Sequence, residues 1–100
     1  MTNVAQTILD QLGGRRFVMM TGSKEFIGGK NELIFKLARG VKNKAQKCRV
    51  TLTAMDDYTV EFLKWNRREM DFDVVSTHQG IYCDMLEDLF TEETGLYTRF

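Results

Sequence analysis

The chain contains no proline, so its turns must be made by Gly, Asn, Asp or Ser. Its one histidine is His78, and its two cysteines, Cys48 and Cys83, lie far apart. With no CxxC pair, neither a zinc site nor a disulfide framework is expected, and both thiols read as reduced and buried. No apolar run approaches the length of a membrane span. The start, "MTNVAQTILDQLGG", lacks the basic region and continuous apolar core of a signal peptide. A cytoplasmic setting, with no membrane partner, is expected. Net charge is also absent: 14 Lys and Arg balance 14 Asp and Glu. A dedicated DNA binder is usually basic. Repeats and low-complexity segments are missing as well, which leaves residues 1–100 as a single domain.

What is present is ordinary globular material: 43% hydrophobic and 11% aromatic residues in a chain of 100, enough for a modest core. Val4, Ile8 and Leu12 are spaced by four, with Ala5 and Leu9 alongside, which predicts a first helix ended by Gly13-Gly14. "RRFVMMTG" reads as a first strand and "NELIFKLA" as a second, joined through a glycine-containing loop. "ARGVKNKAQK" reads as a basic, polar connection. "CRVTLTA" alternates, with Cys48, Val50, Leu52 and Ala54 inward. After a turn at "MDDY", "YTVEFLKW" returns with Tyr58, Val60 and Phe62 inward, so these two segments form a hairpin. "NRREMD" is a turn and "FDVVST" a short fifth strand. A C-terminal helix over 81–94 follows, with Ile81, Met85 and Leu89 on its apolar stripe and Gly95 as its C-cap. The "LYTRF" tail is expected to dock. The predicted fold is α+β: one twisted antiparallel sheet of four to five strands with an N-terminal and a C-terminal helix packed on it.

The stretch "TGSKEFIGGKN" has the ingredients of a phosphate loop but not its arrangement. The P-loop needs G-x-x-x-x-G-K-[ST] followed by a helix. Here the interval from Gly22 to Gly29 is too long, Asn31 replaces the magnesium-binding hydroxyl, and an alternating, strand-like segment follows. A hairpin loop whose glycines take positive φ is the simpler reading. No G-x-G-x-x-G is present either. His78 with Cys83 could form a nucleophile pair, but nothing supplies a third group or an oxyanion hole, so His78 reads as a turn residue. Asp56-Asp57, Glu92-Glu93 and "DMLED" read as solvated acids rather than a metal site. No catalytic residue, metal, cofactor or small-molecule substrate is expected.

Charge is unevenly distributed along the chain. Residues 1–50 carry ten Lys and Arg against three Asp and Glu, and residues 51–100 carry four against eleven. Such asymmetry points to an interaction surface. Two readings follow. In the first, an acidic helix bearing Asp84, Glu87, Asp88 and Glu92 serves a protein partner or self-association, basic side to acidic side. In the second, Lys36, Arg39, Lys42, Lys44, Lys47 and Arg49 bind nucleic acid. Trp65, beside Arg67 and Arg68 and on the strand face opposite Val60 and Phe62, would then stack bases. The common RNA-binding and helix-turn-helix patterns are missing, and the first reading is preferred on sequence alone.

"LGGRRFVMMTGSKEF", "VTLTAMDDYTVEF" and "GIYCDMLEDLFTEETGLYTRF" together resemble small uncharacterised proteins carried by bacteriophages, prophages and related mobile elements. The resemblance covers most of the chain and rests on no catalytic motif. It implies an accessory role in a phage or bacterial host cytoplasm. The sequence reading is therefore a small non-enzymatic interaction protein, with nucleic-acid binding as the alternative.

Overall fold

The computed structural model describes residues 4–38, 40–42 and 44–96. Two helices open the fold, α1 (Val4–Leu12) and α2 (Gly14–Thr21). Five strands follow: β1 (Lys24–Gly28), β2 (Glu32–Lys36), β3 (Lys47–Leu52), β4 (Tyr58–Asn66) and β5 (Asp71–Ile81). A single 3-10 turn, Cys83–Met85, leads into α3 (Leu86–Thr94). The strands form one antiparallel sheet in the order β1-β2-β3-β4-β5. The α+β sheet with helices at both ends is as predicted.

The helices cover one face of this sheet. Leu33, Phe35, Cys48, Val50, Tyr58, Val60 and Phe62 alternate onto it and are buried. From the helical side, Ile8 and Leu12 of α1, Phe17 of α2, and Leu86 and Phe90 of α3 complete the core. The rings interlock: Phe90 lies 4.9 Å from Phe17, 6.1 Å from Phe35 and 6.4 Å from Phe62, centroid to centroid. Phe17 meets Phe35 edge-on at 5.5 Å. These separations fall within the favourable range for aromatic pairs.

Three predicted elements need correction. "RRFVMMTG" is not a strand but α2. An apolar run this short does not distinguish helix from strand by periodicity, and Arg and Met favour helix. The observed period is helical: Phe17 and Thr21 are buried while Arg15, Arg16 and Met19 are exposed. Thr21 Oγ1 donates back to the Phe17 carbonyl, and Gly22, at φ 68°, closes the helix with its N–H on the Val18 carbonyl.

The glycine-rich stretch, in turn, contains a strand, β1, rather than being all loop. Only residues 29–31 turn, with the Gly29 N–H bonded to the Glu32 carbonyl. Gly28 and Gly29 do not have positive φ. Gly28 instead makes room for α1, since a Cβ there would stand 2.8 Å from that of Ala5.

Finally, β5 runs on through His78 to Ile81, so the C-terminal helix starts at Leu86 and Met85 is exposed. Ala54 lies beyond the end of β3 and is exposed. Gly95 does cap α3, at φ 76°. Of the tail, Leu96 packs against the core, and residues 97–100 lie outside the described residues.

Two outcomes follow. Phe90→Ala is expected to destabilise the fold by about 3–5 kcal/mol, read as a lowered denaturant midpoint with an unchanged slope. Gly28→Ala is expected to cost about 1–3 kcal/mol by overpacking. That cost should shrink in an Ala5→Gly background, measured by a double-mutant cycle.

Candidate functional site

All three helices pack on one side, so the opposite sheet face is open. Its side chains follow from register. One row crosses it as Ile34, Arg49, Glu61 and Thr77. The next crosses as Lys24, Lys36, Lys47, Leu63 and Val74. Beyond that, Trp65 stands opposite Phe72.

The first row is electrically closed. Arg49 donates from Nε and Nη2 to the two carboxylate oxygens of Glu61, each at 2.9 Å. This hydrogen-bonded carboxylate raises the Arg49 pKa further above its ordinary value. Arg49 is therefore committed to a partner within the sheet.

The second row is different. Lys24 faces Lys36, and Lys36 faces Lys47. Like charges directly opposite one another on a sheet are destabilising. None of these lysines is in an ion pair among the described residues. Lys36, Lys44, Lys47 and Lys64 line a groove of about 730 Å³ at this end of the sheet, together with Trp65 and Phe72. Glu25 contributes one carboxylate to the lining. The Lys47 ammonium sits 5.0 Å above the Phe72 ring, a cation–π contact. Trp65 meets Phe72 edge to face at 5.1 Å and keeps 39% of its surface exposed.

The connection from β2 to β3 forms the groove's wall. Its segment "ARGVKNKAQK" was predicted to be a basic, polar connection, but Val41 and Ala45 within it are buried, four and eight residues after buried Leu37. Gln46 ties it to β4: its N–H donates to the Leu63 carbonyl at 2.7 Å, and its Oε1 accepts from the Trp65 N–H at 2.8 Å. The sheet end, the loop and Trp65 are thus held as one piece.

The structure therefore brings together Lys36, Lys44, Lys47 and Trp65 of the predicted basic set. Arg67 and Arg68 are exposed in the turn between β4 and β5, whose backbone is held by Asn66 Oδ1. Lys42 lies elsewhere: its N–H donates to the Thr94 carbonyl at the end of α3. Arg39 lies outside the described residues. Lys64 and Phe72 were not singled out from sequence, and Lys24 was counted among the basic residues without being placed in the set. Phe72 was accessible to it, because pairing "YTVEFLKW" with "FDVVST" across "NRREMD" sets Phe72 opposite Trp65.

Asp84 lies in the 3-10 turn, and Glu87, Asp88 and Glu92 lie on α3, in the layer on the other side of the sheet. Asp84, Asp88 and Glu92 are exposed, whereas Glu87 is partly buried beside Gly13.

His78 is a strand residue, not a turn residue. Its Nε2 pairs with Glu93 Oε1 of α3, and its ring meets Phe62 edge-on. Among the described residues no three His, Cys, Asp or Glu side chains gather as metal ligands, and no helix is long and apolar enough to cross a membrane. No family model, curated protein or solved structure matches the chain.

The two thiols differ from the expectation that both are buried. Cys48 is buried between β2 and β4, and burial pushes its pKa far up. Cys83 is exposed. Because the thiolate is the reactive form, an aromatic disulfide reagent at neutral pH should titrate one thiol per folded chain. The second should appear only on denaturation, and Cys83→Ser should abolish the fast reaction.

Proposed function

We propose that the protein is a non-catalytic nucleic-acid-binding accessory protein that works through the lysine-lined groove at one end of its open sheet face. The observation that carries this reading is the row Lys24–Lys36–Lys47. Register sets three lysines side by side on one strand row with no carboxylate opposite them, and a bound polyanion would neutralise this like charge while releasing its own counterions. Lys44 and Lys64 join Lys36 and Lys47 at the groove, and Lys24 continues the row beyond it. Trp65 and Phe72 lie beside these cations, the pairing of charge and aromatic surface that nucleic-acid sites use. The resemblance of the sequence to phage and mobile-element proteins supports a bacterial host cytoplasm as the setting.

A second reading keeps the protein partner. The exposed Asp84, Asp88 and Glu92 lie in the layer opposite the lysine row. A copy of the chain, or a basic protein, would meet these acids. This reading requires assembly that weakens with salt and needs no nucleic acid.

Titration of fluorescent single- and double-stranded oligonucleotides against salt, with sizing of the free protein alongside, separates the two. The nucleic-acid reading expects log affinity on a single strand to fall with log salt at a slope of about −3 for four phosphate contacts. Lys36→Glu and Lys47→Glu should each lower that slope by about 1, whereas Lys42→Glu should leave it unchanged. Absence of binding in low salt overturns this reading. Salt-sensitive self-association in its place establishes the second.

A further inference from the structure

Resting on the nucleic-acid reading, we infer that the groove is selective for an unpaired base, which stacks on Trp65 while flanking phosphates lie along Lys36, Lys44 and Lys47. The two aromatic residues of the groove are not equivalent. The Phe72 ring already carries the Lys47 ammonium over it and is half-buried. Trp65 touches Phe72 at an interplanar angle of 69°, so whichever ring supplies the edge, at least one indole face stays clear of Phe72. Trp65 as a residue is 39% exposed. Its backbone is pinned by Gln46 and by pairing with Phe72, so little ordering is needed when a base arrives.

The same geometry limits where the strand runs. The middle of the open face holds the Arg49–Glu61 pair with Thr51, Thr59 and Thr77 around it, and it presents no ring on which to stack. Binding is therefore confined to the groove end, next to the Arg67-Arg68 turn, and does not extend across the sheet. A duplex offers the lysines its phosphates but keeps its bases stacked on one another. To use Trp65 it would first have to unstack a base, which disfavours it relative to a single strand.

Trp65 is the only tryptophan of the chain, so its fluorescence reports this contact directly. The experiment compares an oligothymidylate, an oligouridylate and a matched DNA duplex in low salt. Anisotropy of the labelled nucleic acid measures binding, and Trp65 emission measures stacking. Both single strands are expected to quench Trp65 saturably, and the duplex is expected to bind more weakly without quenching.

Trp65→Ala should weaken single-strand binding by about tenfold, within the range for loss of one stacked base, and leave duplex binding unchanged. Trp65→Phe, which keeps a ring at the site, should restore most of the loss and guards against a folding defect. Single-strand binding without quenching, or an equal loss of single-strand and duplex binding in Trp65→Ala, overturns the inference while the lysine groove stands. Failure of every oligonucleotide to bind overturns the nucleic-acid reading itself.

Discussion

The structure depends on Phe90. Its ring reaches from α3 into the space where Phe17 of α2 and Phe35 and Phe62 of the sheet converge. Elements from both ends of the chain are thereby fastened to the same side of five strands. A domain of this size has one modest core, and this cluster, with Ile8, Leu12 and Leu86 around it, is that core. The remaining side of the sheet is left without a helical layer.

An uncovered sheet face can pair its charges or leave them unpaired, and this one does both. Across its middle, Arg49 and Glu61 form a two-point ion pair between neighbouring strands, which satisfies both charges. One row further on, the alternation that points Arg49 outward also points Lys36 and Lys47 outward, in register, with Lys24 beyond them. No carboxylate stands opposite any of the three in that row. Lys24 and Lys36 are exposed, so water screens their charge, and the Lys47 ammonium rests over the Phe72 ring; among the described residues none of the three is in an ion pair. The neighbouring loop is anchored beneath by Leu37, Val41 and Ala45 and stitched to β4 through Gln46, so the groove has a wall as well as a floor.

Much of this fold could be read along the chain. The β3–β4 hairpin was legible because both strands alternate cleanly and a short polar turn separates them; of the predicted inward set Cys48, Val50, Tyr58, Val60 and Phe62 are buried, Leu52 is partly buried and Ala54 is exposed. α1 was legible from its four-residue spacing, and the C-cap of α3 from Gly95. Residues 15–22 were not, because Phe-Val-Met-Met suits either a helix or a strand until something shows which face is covered. Mistaking α2 for a strand displaced the first true strand into the glycine-rich segment, where glycine suggested turn chemistry. At Gly28 its use is steric, admitting Ala5.

For the groove, the residue types were visible before their arrangement was. The sequence by itself determined the period-two and period-four patterns, and hence one covered sheet and the direction in which each strand residue points. Those are local properties, set by backbone geometry and the placement of apolar side chains. Only the tertiary structure decided which basic residues share a surface. Strand register set Lys36 against Lys47 and gave Arg49 a carboxylate, while loop anchoring sent Lys42 to the end of α3 and left Lys44 at the groove. Which charges meet depends on pairing between segments distant in sequence, and a linear count of charge carries no record of that pairing.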